Sequence, residues 1–192
     1  MTLTLDARTT AFVSIDLQNG ILAMPLAPYS AEQVVRHGVA LGRRIAEAGG
    51  TIVLVHVGFS AGSADRLKLP VDATMTPPAG GLPADWSEFT PPVAELTPDV
   101  VITKRQWSAF HGTELDLQLR RRGIATIVLC GVSTNFGVES TAREAWQHNY
   151  AVVIAEDACT SAAADMHRFS IEKILPRISR VRSTAEILAA LG

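Results

Sequence analysis

The sequence predicts a single α/β domain over residues 1–192, a three-layer α/β/α sandwich built on a doubly wound, mostly parallel sheet of about six strands. Three observations carry this. Short apolar, β-branched runs alternate with amphipathic stretches along nearly the whole chain, the pattern of right-handed βαβ units. The runs are apolar at successive positions, as strands buried on both faces must be. The length of 192 residues, with 47% hydrophobic and 19% charged residues, suits one domain with a full core.

Taken in order, Thr10 to Asp16 is a short apolar run ending in an acid. Ser30 opens a helical stretch with a capping box to Gln33, and Gly49-Gly50 stops it. Thr51 to Val57 and Asp99 to Lys104 read as the second and third strands. His111 to Arg122 reads as helix, with Leu115, Leu119 and Arg122 spaced along one face. Its terminal Arg120-Arg121-Arg122 precedes Gly123, so the cations suit the helix dipole and the glycine suits the cap. Ile124 to Cys130 is the strongest strand signal, and the helix from Val138 to Trp146 ends near His148-Asn149. Ala151 to Asp157 is another strand, followed by helix through about Leu175. Ile178 to Val181 is the last strand, and Ser183 with Glu186 caps a short terminal helix. The segment from Phe59 to Pro98 resists this scheme: it holds most of the prolines, Gly80-Gly81 and little periodicity. It reads either as a lid or binding loop or as a subunit-contact arm.

Composition excludes several partners. The formal net charge is −2 and basic residues form no long run, so a nucleic-acid surface is not expected. No apolar run approaches the ~20 residues of a membrane span, and Met1 to Thr9 lacks a basic then apolar leader. The two cysteines lie in apolar or small-residue settings, which suits free thiols and a cytoplasmic location.

In open parallel sheets, ligands bind beyond the carboxyl ends of the strands. Asp16, Lys104 and the turn Gly131-Val132-Ser133-Thr134-Asn135-Phe136-Gly137-Val138 all fall at such ends. A strand–turn–helix segment converges backbone N–H groups on one spot, which favours anions or developing oxyanions. Acyl transfer there would call for a nucleophile in the first helical turn, and position 137 is glycine. The plainer alternatives are a turn or cap role for Asp16, a rim charge for Lys104 and helix capping for Thr134 and Asn135. The glycines make no phosphate loop, since neither Gly-Lys-Ser/Thr nor Gly-x-Gly-x-x-Gly is present.

The runs Ile15-Asp16-Leu17-Gln18-Asn19-Gly20, Lys104-Arg105-Gln106-Trp107-Ser108-Ala109-Phe110 with Thr113 and Leu115, and Gly131 to Asn135 through Thr141-Ala142-Arg143 resemble the isochorismatase-like, or cysteine hydrolase, superfamily. The resemblance covers nearly the whole chain in order. The Gly-Val-Glu-Ser-Thr-Ala-Arg and Glu-Asp-Ala-Cys wording is similar to its YecD-type branch. It implies an Asp–Lys–Cys triad in which Asp16 matches the acid, Lys104 the lysine and Gly137 the missing cysteine. It also implies a non-proline cis peptide at Val132–Ser133, a pocket walled by Trp107 and Phe110, and a homo-oligomer. Gln18, Ser133, Thr134 and Asn135 are the further candidates for contacting substrate, with orientation of Asp16 the alternative role for Gln18. Some relatives bind zinc through Asp-x-His and a further His. Here His56, His111 and His167 are scattered and no Asp-x-His follows the second strand, so neither a metal nor another cofactor is expected.

Without a nucleophile no acyl-enzyme forms, and the expected activity is a hydrolase for a small organic molecule with Asp16 as general acid/base and Lys104 as its partner. Enol-ether hydrolysis fits, because it needs a proton donor and water but no covalent step. Arg66 and Arg105 are the candidates for carboxylate contacts. The pKa of Asp16 depends on burial, which raises it, against Lys104, which lowers it. The alternative is a catalytically silent member that binds a metabolite or scaffolds an oligomer. A third reading gives the nucleophile to Cys159, whereas Cys130 reads as a buried structural thiol.

Overall fold

β1 (Thr10–Ile15) is buried along its entire length and lies inside a sheet in which every pairing is parallel. The structure is a computed structural model describing residues 2–73 and 80–191; positions 74–79 of the proline-rich segment lie outside those residues. Among the described residues, β1 joins β2 (Thr51–Val57), β3 (Val100–Lys104), β4 (Thr126–Val132), β5 (Ala151–Thr160) and β6 (Arg180–Arg182) in a six-stranded sheet ordered β3-β2-β1-β4-β5-β6. The chain starts in the middle, steps outward to β3, crosses back over β1 and steps outward again to β6. That reversal opens a crevice at the carboxyl ends of β1 and β4, and the expected doubly wound fold is the one observed.

Helices cover the sheet. After α1 (Asn19–Leu22), the long α2 (Ala31–Glu47) packs on β1, β4 and β5 and meets α3 (Pro91–Ala94). α4 (Leu115–Arg121) lies in the crossover from β3 to β4 and α5 (Glu139–Gln147) follows β4; then come α6 (Ala164–Phe169) and α7 (Thr184–Ala189), the last returning to α2. Val34, Gly38, Leu41 and Ile45, flanked by Val39 and Gly42, form the buried stripe of α2, the 3–4 spacing of a one-sided helix. Ser30 accepts from the Gln33 N–H, while the reciprocal capping box forms at Ser183 and Glu186.

Three boundaries differ from the sequence reading for local reasons. β5 runs to Thr160 because the register slips: it advances from Ile154 to Cys159 while β4 advances from Leu129 to Gly131, a bulge that no periodicity announces. The helix after β5 ends at Phe169 and relaxes through a π turn (Ser170–Ile174) and a 3-10 turn (Leu175–Arg177), where Pro176 lacks the N–H a helix needs. β6 consequently begins at Arg180. The proline-rich segment is pinned at its end: Asn19 and Gly20 donate N–H bonds to Glu88 O and Trp86 O, and Thr90 donates to Leu17 O. Residues 86–90 thus run as a clasp beside the chain leaving β1.

Candidate active site

Asp16 N–H donates to Val55 O at 2.9 Å, extending the β1 ladder by one residue before the backbone turns to φ 54°. Aspartate tolerates this left-handed conformation better than most residues, and it re-aims the carboxylate. Lys104 closes β3, beyond β2, so its ammonium must cross two strand spacings of ~5 Å each. Only a long side chain spans that gap. Lys104 Nζ lies 2.7 Å from Asp16 Oδ2 and donates to Gln106 O at 3.2 Å. The residues are 5% and 2% exposed.

Asp16 Oδ1 is buried and makes no hydrogen bond to any described residue. Burial is the main influence on this carboxyl and pushes it up from 3.8 to about 6; Lys104, the His56 ring and the Val57 backbone pull the other way. The Asp16–Lys104 attraction therefore offsets only part of the desolvation.

β4 delivers the third component. Gly131 adopts φ 126°, and a Cβ there would stand 2.0 Å from Ile15 O; only glycine fits where β4 passes so close to β1. The Val132–Ser133 peptide is cis, as the resemblance implies, and Thr134–Val138 forms a single π-helical turn leading into α5. A Cβ on Gly137 would lie 3.4 Å from Asp16 Oδ2 and 3.5 Å from Lys104 Nζ. Position 137 thus faces the ion pair directly. Thr141, four residues on, locks this geometry by donating to Gly137 O at 2.7 Å and accepting from Ala109 N–H at 3.0 Å.

The remaining expected site residues divide. Trp107 is 59% exposed and its ring lies 4.8 Å from that of Phe136 on the π turn. Ser133 is half-buried at the cis peptide. Phe110 is buried and packs on His148 and Tyr150. The Gln18 amide is engaged by backbone, donating to Val57 O and Trp86 O and accepting from Val57 N–H; it ties the clasp to β2. The Thr134 hydroxyl meets His167 Nδ1 at 2.8 Å, and Asn135 Oδ1 accepts from the Ser161 hydroxyl. Sequence reasoning named Thr141 within a motif but gave it no role, and it missed the partners of Thr134. For Thr141 the signal was present, since a threonine four residues past a carbonyl can bond back to it.

Cys130 and Cys159 are fully buried free thiols, and burial pushes both up, the reverse of an activated nucleophile. His56 has both nitrogens engaged, at 2.6 Å from Ser87 O and 2.8 Å from Thr103 Oγ1. Among the described residues no three of His, Cys, Asp and Glu gather as metal ligands. Arg105 pairs with Asp65 at 3.0 Å, and Arg66 lies over the Phe59 ring at 5.8 Å. No described helix is long and apolar enough to cross a membrane.

Comparison with known proteins adds a relationship to this geometry. Residues 10–186 match the model of the isochorismatase domain. The isochorismatase family protein YecD of Escherichia coli O157:H7, of uncharacterized function, is 53% identical over 189 residues, spanning 98% of this chain and 100% of that one. YwoC of Bacillus subtilis, described in the same terms, is 46% identical over 187 residues, spanning 97% and 96%. The structure of an isochorismatase family protein from Burkholderia thailandensis has a TM-score of 0.93 at 42% identity, covering 100% of this chain and 99% of that one.

Proposed function

Because the chain belongs to the isochorismatase family, we propose that it hydrolyses a small organic molecule with Asp16 as general acid/base and Lys104 as its electrostatic partner, without a covalent enzyme intermediate. The observation that carries this reading is the buried Asp16–Lys104 pair facing Gly137. A carboxyl pushed up to about 6 retains a proton in a useful fraction of molecules near neutrality, as a general acid must. The opposite side of the pair presents a bare backbone where a covalent mechanism would place its thiol.

Enol-ether hydrolysis uses these parts in a balanced sequence. Asp16 gives its proton to the vinyl carbon, whose π electrons form the new C–H bond and leave an oxocarbenium ion. Water adds to that cation and returns a proton to the Asp16 carboxylate. The resulting hemiketal breaks its C–O bond, releasing an alcohol and a ketone. Lys104 steadies the carboxylate between these steps and has an N–H beyond its two hydrogen bonds for a substrate oxygen. In this reading Trp107 with Phe136 walls the substrate, Ser133 and the turn supply polar contacts, and Gly137 leaves room for substrate or water.

The free buried thiols support a cytoplasmic setting, and exposed Trp107 and Phe169 support a homo-oligomer. The second reading, a silent member that binds a metabolite, is favoured by Gly137 alone. Pyruvate release from isochorismate, measured for wild type beside Asp16→Asn, separates the two. Release that depends on Asp16 is expected. Equal release from the variant removes the acid role, and release from neither removes isochorismate as the substrate.

A further inference from the structure

One buried polar cluster is used neither by the sheet nor by the proposed chemistry. His167, on α6, is buried and side chains engage both its ring nitrogens. Thr134 Oγ1 lies 2.8 Å from Nδ1 and Glu156 Oε1 lies 3.2 Å from Nε2. The Tyr29 hydroxyl donates to the same Glu156 oxygen at 2.7 Å, and the Tyr29 ring stands edge-on to the imidazole with centroids 5.6 Å apart. The His167 hydrogen bond holds Glu156 below the usual carboxylate range, with Tyr29 helping and partial burial opposing.

An ionised carboxylate only accepts, so Nε2 carries its hydrogen toward Glu156. At the other nitrogen, Nδ1, the Thr134 hydroxyl completes the bond, since a hydroxyl both donates and accepts. Every member of this chain is satisfied, a property that a packed apolar side chain would not confer. Thr134 is also the first residue of the π turn that holds Gly137. Its neighbour Asn135 is tied to Ser161 beyond β5, so two successive residues anchor the turn to the same side of the molecule.

We propose that His167 is a positioning residue: through Thr134 it holds the π turn so that Gly137 and the turn backbone face the Asp16–Lys104 pair. The proposal rests on the hydrolytic reading above for its consequence in turnover, but not for its geometry. Thr134 is therefore assigned to holding the site rather than to contacting substrate.

The test compares Thr134→Val, which keeps the shape and removes the hydroxyl, with Thr134→Ser, which keeps the hydroxyl. Two quantities are measured: kcat and KM for pyruvate release from isochorismate, and the titration of the Asp16 carboxyl carbon by 13C NMR, which needs no substrate. A turn displaced by about 1 Å costs on the order of a hundredfold in rate. Thr134→Val should lose that much kcat while KM changes less than about threefold, and Thr134→Ser should stay near wild type. Wild-type kcat in Thr134→Val, or equal loss in both variants, overturns the proposal. Should wild type itself turn over no isochorismate, that reaction fails on its own and the titration decides. A midpoint falling from about 6 toward the ordinary carboxyl range, as water reaches the pair, upholds the positioning role; an unmoved midpoint overturns it. If Thr134→Val does not fold, His167→Gln is read by the same two measurements and criteria.

Discussion

Lys104 Nζ reaches across β2 to within 2.7 Å of Asp16 Oδ2, joining two residues 88 positions apart in a place almost closed to water. Burying such a pair costs hydration on both sides, and the attraction offsets part of that cost only while both partners are present.

Removing one partner should therefore be worse than removing both. Lys104→Met leaves a buried carboxylate alone and should cost about 3–5 kcal/mol at pH 8, read by urea unfolding. Acidification should restore much of this loss as Asp16 takes up a proton. The double variant Asp16→Asn/Lys104→Met should be considerably more stable than Lys104→Met, because asparagine also accepts the left-handed backbone at position 16. Equal stability of the single and double variants at pH 8 would refute the ion-pair argument.

The pH dependence follows from the raised Asp16 carboxyl. The unfolded chain releases this proton near the ordinary aspartate value of 3.8, whereas the folded protein holds it to about 6. The contribution of Asp16 to stability is thus fully present below about 4 and is lost as pH rises through about 6. Turnover that needs protonated Asp16 should fall about tenfold per pH unit above that midpoint. A pH–rate profile flat from 6 to 8 in wild type would contradict the general-acid role.

Position 137 should accept a working thiol. A Cβ there sits 3.5 Å from the Lys104 ammonium, which favours a thiolate, although the Ile15 methyl at 2.9 Å must yield slightly. Gly137→Cys should be alkylated once by iodoacetamide at pH 7.5, while native wild type, with Cys130 and Cys159 buried, resists. Mass spectrometry of the intact protein checks both, and an unmodified variant would mean that position 137 is closed to reagents.

Gly131 should tolerate no side chain. With φ 126° and a Cβ 2.0 Å from Ile15 O, Gly131→Ala must push β4 away from β1. A loss of about 4 kcal/mol or more is expected, visible as a collapse in thermal midpoint. A variant within about 1 kcal/mol of wild type by denaturant unfolding would show that the two strands can separate at little cost.

Much of this protein was legible along the chain because the information is local. Apolar β-branched runs such as Thr51–Val57 and Ala151–Ile154, separated by amphipathic stretches and glycine stops, determine a parallel α/β sheet. The topology rule then places Asp16, Lys104 and the turn before Gly137 on the same edge. That position 137 lacks a nucleophile needed no coordinates. What only the tertiary structure decided are contacts between distant segments, which leave no periodic trace. The clasp at residues 86–90 is defined by bonds to residues 17–20, so its sequence looked featureless. Phe110 went to His148 and Tyr150, and Gln18 and Thr134 turned their polar atoms onto backbone and histidine. Burial, too, belongs to the whole fold: the pKa of Asp16 was an open balance in the sequence, and desolvation by the surrounding layers, partly offset by Lys104, sets it near 6.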